Sequence, residues 1–186
     1  MRMEVHVHGN IPLCKGVSRN QIETALNPWL DYLDVDSIDE AKSLEPEEPG
    51  IALDDKDRVL SMCWTGDIGR SFHRRLEESL QQLGPYAEEA AEVEVSVYHD
   101  NGEEEYRIIF VGPTPESIRQ AERNRMVDDI AALLSRRFDQ QAVDEVLNVV
   151  HGLFERDWAG GGGSSSGSES TSGSQPHVRP HRKHLH

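Results

Sequence analysis

The 186-residue chain has little cysteine, few basic residues and no long apolar run. Two cysteines are too few for a disulfide scaffold and indicate a reducing compartment such as the cytoplasm. No stretch approaches the roughly 18 consecutive apolar residues of a membrane span, and the first residues lack the apolar core of a secretory signal. Lys and Arg number 19 against 34 Asp and Glu, a net charge of −15, which argues against direct binding to nucleic acid. Composition therefore predicts an acidic cytoplasmic protein that contacts neither membranes nor nucleic acid directly.

Composition also divides the chain into a body, residues 1–158, and a tail, residues 159–186. The length of the body suits one compact domain. The tail begins with a Gly/Ser-rich run, which is typical of a flexible linker, and ends in a stretch rich in His and Arg. We expect the tail to be disordered. A His-rich tail could also hold a divalent metal or contact an anionic partner.

The hydrophobic pattern of the body predicts an α+β fold. Apolar residues alternate at residues 3–8 and again at 60–65, which is the period of a strand. Asn101-Gly102 between two further strand-like runs predicts a β-hairpin. With the intervening helices, the predicted order is β-α-β-α-β-β-α-α. A single domain with a four-stranded mixed sheet and helices packed on it is the economical arrangement.

The helix boundaries carry recognisable signals. Ser18 followed by Gln21 predicts a capping box at the start of the first helix. Pro28 lies inside the apolar stripe of that helix, so the helix either kinks there or ends and a second helix begins. Thr114 and Asp139 are predicted to cap the last two helices.

A long acidic connection is the most distinctive feature of the body. Residues 31–57 contain 11 acidic residues and two lysines, and proline and glycine interrupt any regular element. A solvated acidic face is one interpretation. The other is a surface that meets a basic protein, in the manner of the phosphate field of nucleic acid. The predicted protein-binding residues are seven carboxylates: Asp34, Asp36, Asp39, Glu40, Glu45, Glu47 and Glu48.

Two histidines form a candidate metal site. His6 and His8 are two residues apart on a predicted strand, so they share a face. Such a pair can bind a divalent metal such as zinc, and the chain offers several residues to complete the site. Alternatively, both histidines simply face solvent opposite the core, and no cofactor is bound. The residues considered as further ligands are Cys14, Cys63, His99 or an acidic residue.

A glycine-bearing segment is a candidate anion site. Gly66 and Gly69 lie in a predicted loop that leads into a helix, where backbone N–H groups could face an anion. Arg70 and Arg74 would add positive charge. The segment lacks the lysine of a phosphate-binding loop and the full dinucleotide fingerprint, and the arginines could instead pair with carboxylates. No nucleophile motif occurs elsewhere, so no catalytic residue is predicted.

Three stretches resemble a family of small acidic proteins from tailed bacteriophages and prophages. They are the opening Met-Glu-Val-His-Val-His-Gly-Asn, the segment from Cys63 to Phe72, and Phe110-Val-Gly-Pro-Thr-Pro-Glu116. The resemblance covers residues 1–158 and leaves the tail outside. The resemblance implies a phage or prophage product in the bacterial cytoplasm. Because that family has no assigned function, it implies no reaction.

Three functions remain open on this basis. The first is a non-enzymatic accessory protein that binds or regulates another protein through its acidic surface. The second is a small metal- or phosphate-dependent enzyme that uses His6 and His8 or the segment 66–75. The third is a structural or assembly component that oligomerises through an apolar stripe of its last helix.

Overall fold

The computed structural model describes the backbone of residues 3–161 and the side chains of residues 3–156. The chain divides into two units, Met1–Leu147 and Asn148–His186. The first contains the sheet and most of the helices, and the described part of the second is the remainder of the last helix. The last three residues of that helix, 159–161, fall within the predicted disordered tail, and residues 162–186 lie outside the described part of the chain.

The first unit is built on one antiparallel sheet of five strands. Their order across the sheet is β2-β3-β1-β4-β5. The strands are β1 Met3–Pro12, β2 Gly50–Asp54, β3 Val59–Ile68, β4 Ala91–His99 and β5 Glu104–Val111. The helices are α1 Arg19–Leu33, α2 Phe72–Leu83, α3 Pro115–Leu134 and α4 Gln140–Gly161, with short 3-10 helices at Ile38–Glu40 and Gly84–Tyr86. None of the described helices is long and apolar enough to cross a membrane.

The α+β class is confirmed, but the prediction of a four-stranded mixed sheet is wrong. The additional strand is β2, which lies inside the predicted acidic connection and forms a hairpin with β3. Its five residues are flanked by proline on one side and charged residues on the other, so its pattern is too short to indicate a strand. All four neighbouring pairs in the sheet, β2–β3, β3–β1, β1–β4 and β4–β5, are antiparallel.

The core lies between one face of the sheet and the helices α1 and α2. On β1 the side chains of Val5, Val7 and Ile11 are fully buried, whereas His6, His8 and Asn10 between them are not. Aromatic rings join the layers, since Trp29 of α1 meets Trp64 of β3 edge-on at a centroid distance of 5.6 Å. The opposite face of the sheet carries mostly polar side chains and includes both histidines of β1.

Helix α1 continues through Pro28 as a single helix, so the alternative of two helices is wrong. Proline has no N–H and its ring crowds the carbonyl four residues earlier, which opens the helix locally. The next N–H, that of Trp29, donates to the buried Ser79 hydroxyl of α2 at 2.9 Å. Ser79 in turn donates to the carbonyl of Leu26 at 3.2 Å. A serine from the neighbouring helix therefore satisfies the backbone around the proline.

The predicted helix caps are confirmed. Ser18 and Gln21 form the capping box of α1. The Thr114 hydroxyl accepts from the N–H of Ser117 at the start of α3, and an oxygen of Asp139 accepts from the N–H of Ala142 in the first turn of α4. The β4–β5 hairpin is also present, with Gly102 at a φ of +82° that suits glycine.

Candidate functional site

The acidic segment, residues 34–48, is anchored to the sheet and core. Ile38 and Ala41 are 1% and 2% exposed and belong to the core. The indole N–H of Trp64 donates to the carbonyl of Lys42 at 2.9 Å. Beyond it, the N–H of Leu44 donates to the Thr65 carbonyl at 2.8 Å. The segment is therefore fixed at several points along its length, although it contains only one short 3-10 helix.

Six of the seven predicted carboxylates in this segment are exposed. Two of those six are engaged locally: Asp39 pairs with Arg19, and Glu40 accepts from the Ser37 hydroxyl at 3.3 Å. The Arg19 hydrogen bond lowers the pKa of Asp39. The other four have no side-chain hydrogen bond or ion pair with any described residue, and they are Asp34, Asp36, Glu45 and Glu47.

Glu48, the seventh, turns inward toward the polar face of the sheet. One of its oxygens accepts from the Ser43 hydroxyl at 2.5 Å. The other lies 3.3 Å from Nδ1 of His6 on β1. That same nitrogen lies 2.9 Å from the Thr65 hydroxyl. The acidic segment and the histidine strand, which are separate candidates in the sequence, thus meet at Glu48.

The structure brings His6 together with Glu48 and Cys63 rather than with His8. One possible ligand atom from each of these three side chains lies within 4.8 Å of the other two, and all three residues are partly buried. His8 is exposed. Its ring stacks on that of His6 at a centroid distance of 6.2 Å, and its backbone is directly opposite Cys63 across the β1–β3 pair. As the alternative interpretation predicted, both histidines lie on the face of β1 opposite the core, as the alternation of burial along the strand shows.

The two other residues considered as ligands lie elsewhere. The Cys14 thiol donates to the Ala87 carbonyl at 3.4 Å, and Nε2 of His99 lies 3.3 Å from a Glu105 oxygen. Neither belongs to a group of three or more possible metal ligands among the described residues. The nearest candidates for a metal site in this part of the chain are therefore His6, Glu48 and Cys63.

Charge and burial act in opposite directions at this cluster. Partial burial works to raise the pKa of Glu48, but the hydrogen bonds from Ser43 and Thr65 and the nearby imidazoles outweigh it, so the pKa lies below its usual range. Burial raises the pKa of the Cys63 thiol, and the Glu48 charge raises it further. Glu48 is thus held as a carboxylate, while the thiol is held protonated until a cation is near.

The candidate anion segment has a different geometry from the predicted loop. Gly66 lies within β3, where a side chain would overlap the Trp64 ring. The N–H of Gly69 donates to the Tyr32 hydroxyl at 2.7 Å. Arg74 lies 3.5 Å from Glu78 on the next turn of α2, whereas Arg70 has no hydrogen bond or ion pair with any described residue. These contacts favour the alternative in which the glycine serves packing and the arginine pairs with a carboxylate.

Helix α3 presents an unexpected apolar surface. None of its side chains is buried, and Met126 and Leu133 are 51% and 63% exposed. With Ile108 and Phe110 of β5 they line an open groove of about 550 Å³. Because the apolar residues of α3 are spread through a helix rich in charge, sequence periodicity gave no indication of this groove.

The comparisons with known proteins identify a family and no activity. The model of the family of unknown function DUF6806 matches residues 3–155, so the chain belongs to that family. The match covers all five strands and α1–α3. No curated protein and no solved structure matches the chain.

Proposed function

We propose that the protein is a non-enzymatic binding module whose acidic segment docks on a basic surface of another protein. The observation that carries this proposal is the presentation, on an anchored segment, of four carboxylates that have no side-chain partner among the described residues. They are Asp34, Asp36, Glu45 and Glu47. The resemblance to proteins of tailed phages and prophages supports a bacterial cytoplasm as the setting, and it supports a host or phage protein as the partner.

Anchoring matters because binding through a flexible acidic loop requires that the loop be ordered. Fixing the backbone of one loop residue costs about 1–2 kcal/mol. The hydrogen bonds from Trp64 and Leu44 fix the backbone of the segment in the free protein. The charges are therefore already arranged, and they would accelerate encounter with a basic surface and confer strong salt dependence.

The test compares two variants of equal charge. In the first, these four carboxylates of the segment become Asn or Gln. In the second, four exposed carboxylates outside the segment change in the same way. The first set is Asp34→Asn, Asp36→Asn, Glu45→Gln and Glu47→Gln, and the matched set is Asp55→Asn, Asp57→Asn, Glu77→Gln and Glu89→Gln.

Immobilised full-length protein is exposed to bacterial lysate at low and high salt, and a captured protein is purified for kinetic measurement. We expect wild type and the matched variant to bind the purified protein with an association rate that falls at least about tenfold as salt rises. The segment variant should associate at least about tenfold more slowly at low salt. Equal association by both variants, or binding independent of salt, would refute the proposal.

A second candidate function, assembly of two copies of this chain through α3, is favoured by the exposed apolar groove. A chain with a net charge of −15 repels its copy least where negative charge is lowest. Residues 115–138 contain five arginines and four acidic residues, a net of +1, and they include Met126, Leu133 and Phe138, which are about half exposed or more. Residues 115–138 are therefore not acidic, unlike the body as a whole, and they carry exposed apolar side chains, as an interface between copies requires.

Sedimentation equilibrium over a range of concentrations tests this second candidate. Wild type should dimerise, and Met126→Glu with Leu133→Glu should be monomeric. Gln120→Glu on the exposed surface of the same helix is the control for added charge and should still dimerise. A monomeric wild-type protein at all concentrations would eliminate this candidate.

A further inference from the structure

We propose that His6, Glu48 and Cys63 form a zinc-binding site that joins the acidic segment to the sheet. His6 and Cys63 lie on neighbouring strands, β1 and β3, and Glu48 is the last carboxylate of the acidic segment. The possible ligand atoms lie within 4.8 Å of one another. The proposal concerns binding alone and does not depend on the proposed docking function.

The set of ligands selects the metal. Imidazole nitrogen, thiolate sulfur and carboxylate oxygen together are typical of zinc, whereas calcium and magnesium bind oxygen ligands. Ligands 2.0–2.3 Å from a tetrahedral zinc lie roughly 3.3–3.8 Å from one another. The His6 and Glu48 atoms are already 3.3 Å apart. The remaining pairs of ligand atoms lie within 4.8 Å, so they must approach by about 1 Å at most when the metal binds.

The surroundings of the three ligands suit a bound cation. Ser43 donates to the second oxygen of Glu48 at 2.5 Å, which orients the carboxylate. The Thr65 hydroxyl lies 2.9 Å from Nδ1 of His6, and when that nitrogen binds the metal the hydroxyl is free to donate to Glu48 instead. Such outer partners tune metal affinity in known sites. The thiol would lose its proton on binding, since zinc coordinates thiolate.

Binding at this site would have a structural consequence for the acidic segment. Glu48 lies near one end of the segment, and Trp64 and Thr65 hold its middle through Lys42 and Leu44. A metal bound to Glu48, His6 and Cys63 would add a connection between the segment and two strands. Because the unfolded chain does not hold these ligands together, zinc would also stabilise the fold.

The experiment must separate this site from the histidines of the tail, His177, His181, His184 and His186. Full-length protein is titrated with Co²⁺ as a spectroscopic substitute, and absorption from thiolate-to-cobalt charge transfer is followed in the near ultraviolet. The tail contains no cysteine, so it cannot produce this band. Zinc is then added to displace cobalt, and the loss of the band gives the zinc affinity.

Each ligand has a matched control of the same residue type. Cys63→Ser should abolish the charge-transfer band, whereas Cys14→Ser should leave it unchanged. Glu48→Gln and His6→Gln should weaken cobalt binding at least about tenfold, because loss of even an outer partner costs 10–100-fold in known sites. Glu47→Gln and His99→Gln are their controls and should bind as wild type does.

Two results would overturn the site. One is a wild-type protein without a charge-transfer band at saturating Co²⁺. The other is a band that survives in Cys63→Ser or disappears in Cys14→Ser. Circular dichroism and thermal unfolding of each metal-free variant show whether it is folded. Should Glu48→Gln fail to fold, Glu48→Asp takes its place, since a shorter carboxylate should weaken cobalt binding without removing the charge.

Discussion

Replacing Ser79 with alanine should destabilise the protein although it removes only one oxygen atom. Ser79 is fully buried. Its hydroxyl accepts from the N–H of Trp29 at 2.9 Å and donates to the carbonyl of Leu26 at 3.2 Å. These are the backbone groups on either side of Pro28, where the helix cannot fully satisfy itself. The substitution leaves the Trp29 N–H buried next to a methyl group.

The expected magnitude follows from two opposing contributions. A buried donor without a partner costs about 1–3 kcal/mol. Alanine has a higher helix propensity than serine, which offsets this cost by roughly 0.5 kcal/mol within α2. The free energy of unfolding should therefore fall by about 0.5–2.5 kcal/mol. At roughly 2–4 °C per kcal/mol for a chain of this size, the melting temperature should fall by about 1–10 °C.

Urea unfolding followed by fluorescence is a suitable assay, because Trp29 and Trp64 are both buried and lie in contact in the core. Ser135→Ala is the matched control. Its hydroxyl donates to the carbonyl of Ala131 at 2.7 Å on the exposed surface, where water can replace the lost bond. The control should lose less than about 0.5 kcal/mol.

A double-mutant cycle with Pro28→Ala tests the reason as well as the size of the effect. Without the proline ring, the N–H of Trp29 can bond within α1, so Ser79→Ala should then cost less. We expect a coupling energy of at least about 0.5 kcal/mol, which is typical of residues in one network. Equal costs of Ser79→Ala in both backgrounds, or a loss no greater than that of Ser135→Ala, would refute the reasoning.

Three further substitutions probe other contacts of the fold. Gly66→Ala should lower the free energy of unfolding by about 1–3 kcal/mol, since the added Cβ overlaps the Trp64 ring; an unchanged urea midpoint would contradict this. Trp64→Phe should increase hydrogen exchange in the acidic segment, because the bond to the Lys42 carbonyl is lost; unchanged exchange would mean that other contacts suffice. Burial lowers the pKa of His73 below its ordinary 6.5, with a further contribution from a nearby arginine. The unfolded chain therefore takes up the proton first, so the stability of wild type relative to His73→Asn should be constant above pH 6.5 and fall as the pH drops below it. A difference that is the same at pH 8 and about pH 5 would contradict the assignment.

Local signals in the sequence predicted the boundaries that depend on neighbouring residues. The capping box at Ser18 and the Asn101-Gly102 hairpin are formed by residues within a few positions of one another. The strand β2 was missed because its identity depends on β3, with which it pairs from Gly50 to Asp54. Five residues without clear alternation carry little information until that partner is known.

The continuity of α1 through Pro28 could not be predicted for a related reason. A proline in a helical pattern favours a break when only the local sequence is considered. The residue that makes the intact helix tolerable is Ser79, fifty positions away and on another helix. Tertiary contact, rather than any residue near Pro28, decides between the two alternatives.

The candidate site shows a similar limit, because the sequence gives the types of the candidate residues but not the directions in which their side chains point. Sequence identified His6 as a possible ligand and included Cys63 among the residues that could complete a site. It assigned Glu48 to the outward acidic surface, because position in a charged run does not reveal where a side chain points. The inward turn of Glu48 follows from Ser43, whose hydroxyl donates to Glu48 at 2.5 Å and accepts from the N–H of Thr65 on β3 at 2.8 Å. Ser43 thus determines which of the neighbouring carboxylates faces the histidine, and Ser43→Ala should weaken cobalt binding while leaving all three ligands in place.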